Sequence, residues 1–201
     1  KTDHHICVVT VTYGNRWKYL SKMLDRILEM QEFFNINIVV VDNTGHDNIV
    51  NLVKSKNKDI HIIDMHGNTG SAAGFKAGIK YAHRIICTDF VWLLDDDNLP
   101  ERSSISSLLQ EYENLGSDAN NAFLSMRSDR NQLKKAILEQ KSIKLRPNTF
   151  LGFSLSKKLS TKNNINNSEN NVCIEDISNY PCVNVDYAPY GGFFFHKSWI
   201  P

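Results

Sequence analysis

Phe90–Pro100 reads FVWLLDDDNLP: five apolar residues, three consecutive carboxylates, then Asn-Leu-Pro. Like charges side by side cost energy, and beside an apolar core they cost more. Something must offset that cost. The run before the acids is short, β-branched or aromatic, and bounded by polar residues, which predicts a buried strand ending at a charged rim. Similar runs precede it. Ile6–Thr12 (ICVVTVT), Ile36–Asn43 (INIVVVDN) and Asp59–Met65 (DIHIIDM) read as further strands. Helical spacing separates them, in RWKYLSKMLDRILEMQ from Arg16, around Ile49, Val50 and Val53 after a candidate N-cap at Asp47, and in SAAGFKAGIKYAHRII from Ser71. A helix is expected from Pro100 through ERSSISSLLQEYENL, and a fifth strand at NAFLSMRS.

Near-continuous apolar strands alternating with helices predict an α/β, Rossmann-like domain, its mostly parallel central sheet covered by helices on both faces. Ligands of such sheets gather beyond the carboxyl ends of the strands. The residues to inspect are therefore Thr12-Tyr13-Gly14, Asp42-Asn43-Thr44, Gly67-Asn68 and Asp95-Asp96-Asp97.

The 201 residues suffice for a sizeable core, and 41% hydrophobic with 22% charged residues is ordinary for a globular protein. A net charge of +1 gives no field that would favour nucleic acid or an anionic membrane. Cys7, Cys87, Cys173 and Cys182 form no C-x-x-C pair and no Cys/His ligand spacing, so reduced structural thiols and a cytoplasmic setting are expected. No apolar run reaches the ~20 residues that span a bilayer. Regularity weakens beyond residue 130. The expected organisation is a ligand-binding half over 1–130 and the start of a second half over 131–201, with a mobile Asn/Lys-rich loop near 156–171 and a late strand in VDYAPYGGFFFHKSW. The chain reads as a piece of a longer polypeptide.

Three constellations carry chemistry. On a strand Asp95 and Asp97 would point to one side and Asp96 to the other. Two carboxylates at a strand exit suit Mg²⁺ or Mn²⁺ shared with phosphate oxygens, which would also neutralise the cluster. The plain alternative is an acidic turn with Asp97 or Asn98 capping the next helix. Asp42 ends its strand where a carboxylate can accept a hydrogen bond from the imide of uracil or thymine, or can close an Asx-turn. In HGNTGSAAGFKAGIKYA, Gly70, Gly74 and Gly78 recur on one helical face. They leave room for a ligand near Asn68 and Gly70, or for close helix–sheet packing. No Gly-Lys-Ser/Thr follows, so this is not a P-loop.

At these residues the chain resembles the family 2 glycosyltransferases with the GT-A fold. The elements VVTVTYGNRWKYL, IVVVDN, GNTGSAAGFKAGI and FVWLLDDDNLP stand in family order, with a weaker match at YGGFFFHKSW. The forms NTGSAAGF and WLLDDD are similar to the galactofuranosyl- and rhamnosyl-transferase-like branch. The resemblance implies that Thr12, Tyr13, Asp42 and Asn43 bind the nucleotide of a UDP- or dTDP-sugar. Asn68 and Gly70 would lie beside it, Asp95 and Asp96 would approach ribose and diphosphate, and Asp97 with Asp95 would hold Mn²⁺ or Mg²⁺. Gly191 and Gly192 would lie on the sugar or acceptor side. It implies inverting transfer to a glycan or lipid-linked glycan in polysaccharide or cell-surface glycan synthesis, peripheral to the inner face of the membrane. The catalytic base would lie beyond Pro201, with Glu175, Asp176 and Asp186 the late acids inside the chain. His196 is expected near the acceptor cleft.

Rival readings are a nucleotide-sugar binding module without turnover, a phosphotransferase and a nucleotidyltransferase. The phosphotransferase needs an aspartate after the first strand, where Thr12-Tyr13-Gly14 stands. The nucleotidyltransferase finds weak support in Arg16 and Lys18.

Overall fold

In a computed structural model, residues 3–45, 48–125 and 190–201 are described, and they belong to one compact unit. The candidate cap Asp47, Cys173, Cys182, the late acids and the Asn/Lys-rich stretch fall outside these residues.

The order of elements is β1 (His5–Thr12), α1 (Trp17–Met30), β2 (Asn35–Asp42), α2 (Asn48–Lys56), β3 (His61–Asp64), α3 (Ser71–Tyr81), β4 (Phe90–Asp95), α4 (Ser104–Asn114), β5 (Ala122–Leu124) and β6 (Phe193–His196). A π-helical turn, Ala82–Ile86, prolongs α3. The six strands form one sheet in the order β3-β2-β1-β4-β6-β5. Strands β1 to β4 run parallel, and β6 is antiparallel to both of its neighbours. The segment 190–201, expected in the second half, thus supplies a strand to the same sheet as the first.

The sheet is apolar on both faces because its strands alternate between two cores. Ile6 and Val8 of β1, Ile38 and Val40 of β2 and Trp92 and Leu94 of β4 pack under α1, α2 and α4. Cys7, Val9, Val11, Val39, Val41, Val91 and Leu93 face the other way, toward Phe75 of α3 and Ala82. Burial explains α1 better than its ends do. It has no side-chain N-cap bond, no acid in its first turn and no base in its last, yet Leu20, Met23, Leu24, Ile27 and Met30 are all buried. Each such side chain contributes ~1.5–3 kcal/mol, more than a cap supplies.

Two boundaries differ from expectation. Helix α4 starts at Ser104 and not at Pro100, whose carbonyl is taken by Arg26 Nη1 while the chain turns through 101–103. Strand β4 ends at Asp95, so Asp96 and Asp97 lie in a turn closed by the Asn98 N–H on the Asp95 carbonyl at 3.0 Å. Strand alternation therefore does not govern where those two side chains point.

The chain leaves β1 toward β2 and β3, then returns to the other side of β1 as β4. The strand order reverses between β1 and β4, and the crevice at their carboxyl ends is where open α/β sheets bind ligands.

Candidate functional site

Register builds the rim. Thr12 is paired with Asp42, and Val11 with Asp95, so the last residues of β1, β2 and β4 reach one edge together. Thr12 donates its hydroxyl to Asp96 Oδ2 at 2.8 Å. Arg16, at the start of α1, places Nε 2.8 Å from both Asp96 oxygens and Nη2 2.8 Å from Asp97 Oδ2. The charge of Asp96 and Asp97 is thus met by a guanidinium and a hydroxyl of the chain itself. Sequence reasoning met Arg16 only as weak support, with Lys18, for a nucleotidyltransferase, and did not pair it with the triplet. The available signal was its place four residues past Thr12, on the turn leaving β1.

The three acids have different surroundings. Asp96 is buried, and both of its oxygens face Arg16 or Thr12. Burial raises its carboxyl above the ordinary value, while Thr12 and Arg16 draw it back down. For Arg16, burial acts against the charge, but the hydrogen bonds it donates to Asp96 and Asp97 outweigh it and push the group up. Asp97 is open to solvent, its side chain 44% exposed. Asp95 is half-buried beneath the Tyr190–Gly192 turn. A Cβ on Gly191 would overlap Asp95 Oδ2 and lie 2.6 Å from Asn98 Nδ2. Gly192, at φ 94°, donates its N–H to the Leu93 carbonyl at 2.7 Å, which fixes this turn over the end of β4.

Asp42 is buried and accepts the Thr44 N–H at 2.8 Å, so the Asx-turn reading holds geometrically. Asn43 is buried as well. Its amide nitrogen donates to the Gly70 carbonyl at 3.0 Å and its oxygen accepts the Thr69 hydroxyl at 3.0 Å, fastening the loop before α3 to the end of β2. Asn68 accepts the Gly70 N–H at 3.0 Å, and Gly70, at φ 85°, has open space where a Cβ would be. The other two glycines of that face serve packing. A Cβ on Gly74 would meet Val11 Cγ1 at 2.8 Å, and one on Gly78 would overlap Val9 Cγ1.

Tyr13 is exposed beside Arg16, whose guanidinium carbon lies 5.1 Å from its ring centre. Tyr190 stacks on Phe75 at 5.0 Å. His196 is not near this rim. As the last residue of antiparallel β6 it pairs with Phe90, the first residue of β4, so the strand carries it to the opposite edge of the sheet. There its ring meets Phe90 edge-on at 5.4 Å, and burial lowers its pKa. Cys7 and Cys87 are free thiols, the former buried and pushed up to about 12 by that burial. Among the described residues no helix is long and apolar enough to cross a membrane. Nor do three or more His, Cys, Asp or Glu side chains there converge as a ready-made metal site.

Comparison with known proteins places this rim in context. The family model described as "Glycosyl transferase family 2" matches residues 7–168. The galactofuranosyltransferase GlfT1 of Mycolicibacterium smegmatis is 30% identical over 104 residues, which cover 52% of this chain and 33% of that protein. The chain thus spans about a third of the length of that curated relative. Among solved structures, mannosyltransferase PcManGT from Pyrobaculum calidifontis, in complex with GDP-Man and Mn²⁺, is similar with a TM-score of 0.52 and 17% identity, over 71% of this chain and 42% of that one. S. aureus TarS 1-349 gives 0.51 and 18%, over 65% and 40%. These likenesses agree with the α/β sheet described above and extend it to the GT-A fold. With the family model spanning most of the sequence, this chain belongs to glycosyl transferase family 2.

Proposed function

We propose that the rim formed by Thr12, Asp42 and Asp95–Asp97 is the donor site of a metal-dependent, inverting glycosyltransferase using a UDP- or dTDP-sugar. The observation that carries this reading is the register of β1, β2 and β4, which brings Thr12, Asp42 and Asp95 to one edge at the switch point. Galactofuranosyl transfer by the relative named above supports a nucleotide-sugar donor of this kind.

In this reading Asp42 accepts the nucleobase imide, and Tyr13, Asn68 and Gly70 border the nucleotide. Asn43 shapes that border by holding the loop before α3. Asp96 supports the site from below, since its oxygens already face Thr12 and Arg16. Asp97, exposed, and Asp95, beside a turn that leaves no room for a Cβ, are the carboxylates that fit Mn²⁺ or Mg²⁺. Such an ion takes one or two protein carboxylates and fills its shell with phosphate and water. When bound it stabilises the departing nucleoside diphosphate as a Lewis acid. Gly191 and Gly192 border the sugar. The acceptor, a glycan or lipid-linked glycan, gives its hydroxyl proton to a carboxylate base on the acceptor side.

Calorimetry of the 201-residue chain with UDP, dTDP, GDP and ADP, with Mn²⁺ or EDTA, tests this. UDP or dTDP is expected to bind more tightly than ADP, and at least about tenfold more tightly with Mn²⁺. Binding indifferent to both base and metal would overturn it.

A further inference from the structure

The rim holds one feature that donor binding alone does not account for. Arg16 bridges two consecutive carboxylates, with Nη2 2.8 Å from Asp96 Oδ1 and 2.8 Å from Asp97 Oδ2. The rings of Tyr13 and Tyr19 lie 5.1 and 5.4 Å from its guanidinium carbon and restrict its swing. Its two attachments are unequal. The Asp96 side chain is 3% exposed and also bound by Thr12, whereas Asp97 is 44% exposed and held through one oxygen. Withdrawing Arg16 from Asp96 would strand a buried carboxylate, so the guanidinium stays there. Losing the exposed contact with Asp97 is cheap by comparison.

We propose that Arg16 is a positioning residue that makes cation uptake depend on the diphosphate: pinned on Asp96, it also engages Asp97 Oδ2 and holds its positive charge against the carboxylate that a divalent ion would use. This rests on the donor-site reading. A bare cation approaching Asp97 meets a fixed positive charge at close range, which repels it. A diphosphate arriving with the cation brings negative charge that the same guanidinium favours. One fixed charge thus discourages the first event and promotes the second.

The test measures Mn²⁺ binding by calorimetry, alone and with saturating UDP, for the 201-residue chain and for Arg16→Lys and Arg16→Gln. An ammonium is a point charge without the planar fork and stays with Asp96, and a glutamine amide carries no charge, so Asp97 is released in both variants. Mn²⁺ binding without nucleotide is expected to tighten ~3-fold in Arg16→Lys and ~10-fold in Arg16→Gln, and the gain from UDP is expected to shrink by the same factors. Unmodified chain that binds Mn²⁺ equally well with and without UDP overturns the inference, whether or not either variant folds. Coupled binding in the unmodified chain, with the same coupling in both variants, overturns this inference and leaves the donor site standing. Failure of the unmodified chain to bind UDP at all overturns both.

Discussion

Gly191 and Asp95 share one corner of the molecule: a β-carbon on the glycine would overlap Oδ2 of the aspartate. The turn that opens β6 is therefore fitted to the end of β4. Gly191→Ala is expected to push that turn or Asp95 aside, destabilise the chain by about 1–3 kcal/mol and weaken nucleotide binding. Urea unfolding together with UDP titration checks both effects.

Asp97 is the exposed acid of the triplet, and Glu101 is an exposed acid just beyond it. Asp97→Asn is expected to weaken Mn²⁺-assisted UDP binding by about tenfold or more, and Glu101→Gln by less than about twofold, because only the first removes a proposed cation ligand. Parallel titrations of the two variants decide this, and equal losses would remove the assigned role.

Gly78 lets α3 lie against the sheet, where an added Cβ would meet Val9 Cγ1, on a β-branched side chain that cannot swing away easily. Gly78→Ala gains about 1 kcal/mol of helix propensity, yet overpacking is expected to exceed it, for a net loss of about 1–2 kcal/mol. A thermal melt is sufficient. A more stable variant would show that α3 can ride outward without cost.

Asp89 accepts the His5 N–H at 3.0 Å and the Lys197 ammonium at 2.9 Å, joining β1 to the segment after β6. Burial works to raise its carboxyl, but the His5 and Lys197 contacts outweigh it and hold it below the ordinary aspartate range. A carboxyl depressed on folding contributes stability above its unfolded value and loses it as pH falls through the folded one. Asp89→Asn is expected to cost about 1 kcal/mol at pH 7. That gap should close on acidification below the ordinary aspartate range. Urea midpoints of the two proteins at neutral and acidic pH measure it.

The parallel half of the sheet was legible because ICVVTVT, INIVVVDN and FVWLLD are buried on both faces and so read as unbroken apolar runs. Its rim was legible for the same reason, since a polar residue ending such a run lies at a strand exit. The partner of Asp96 and Asp97 was not. Which cation meets Asp96 depends on where α1 starts after the Tyr13-Gly14-Asn15 turn, and periodicity carries no information about that. His196 was misplaced because strand direction is set by pairing between β4 and β6, and direction is not encoded in either segment alone. The glycines of α3 allowed two readings, and the positions of Val9 and Val11 decided for packing at Gly74 and Gly78.

Strand β6 lies between β4 and β5 although it follows both by many residues in the chain. During synthesis on the ribosome, β5 emerges with no neighbour on the inner side of the sheet, and β4 shows an open edge until Phe193–His196 leaves the exit tunnel. Such an edge invites pairing with other chains. A nascent polypeptide halted before this segment should therefore aggregate or recruit chaperones, whereas in one extended past it strands β1 to β6 should become protease-resistant in a single step.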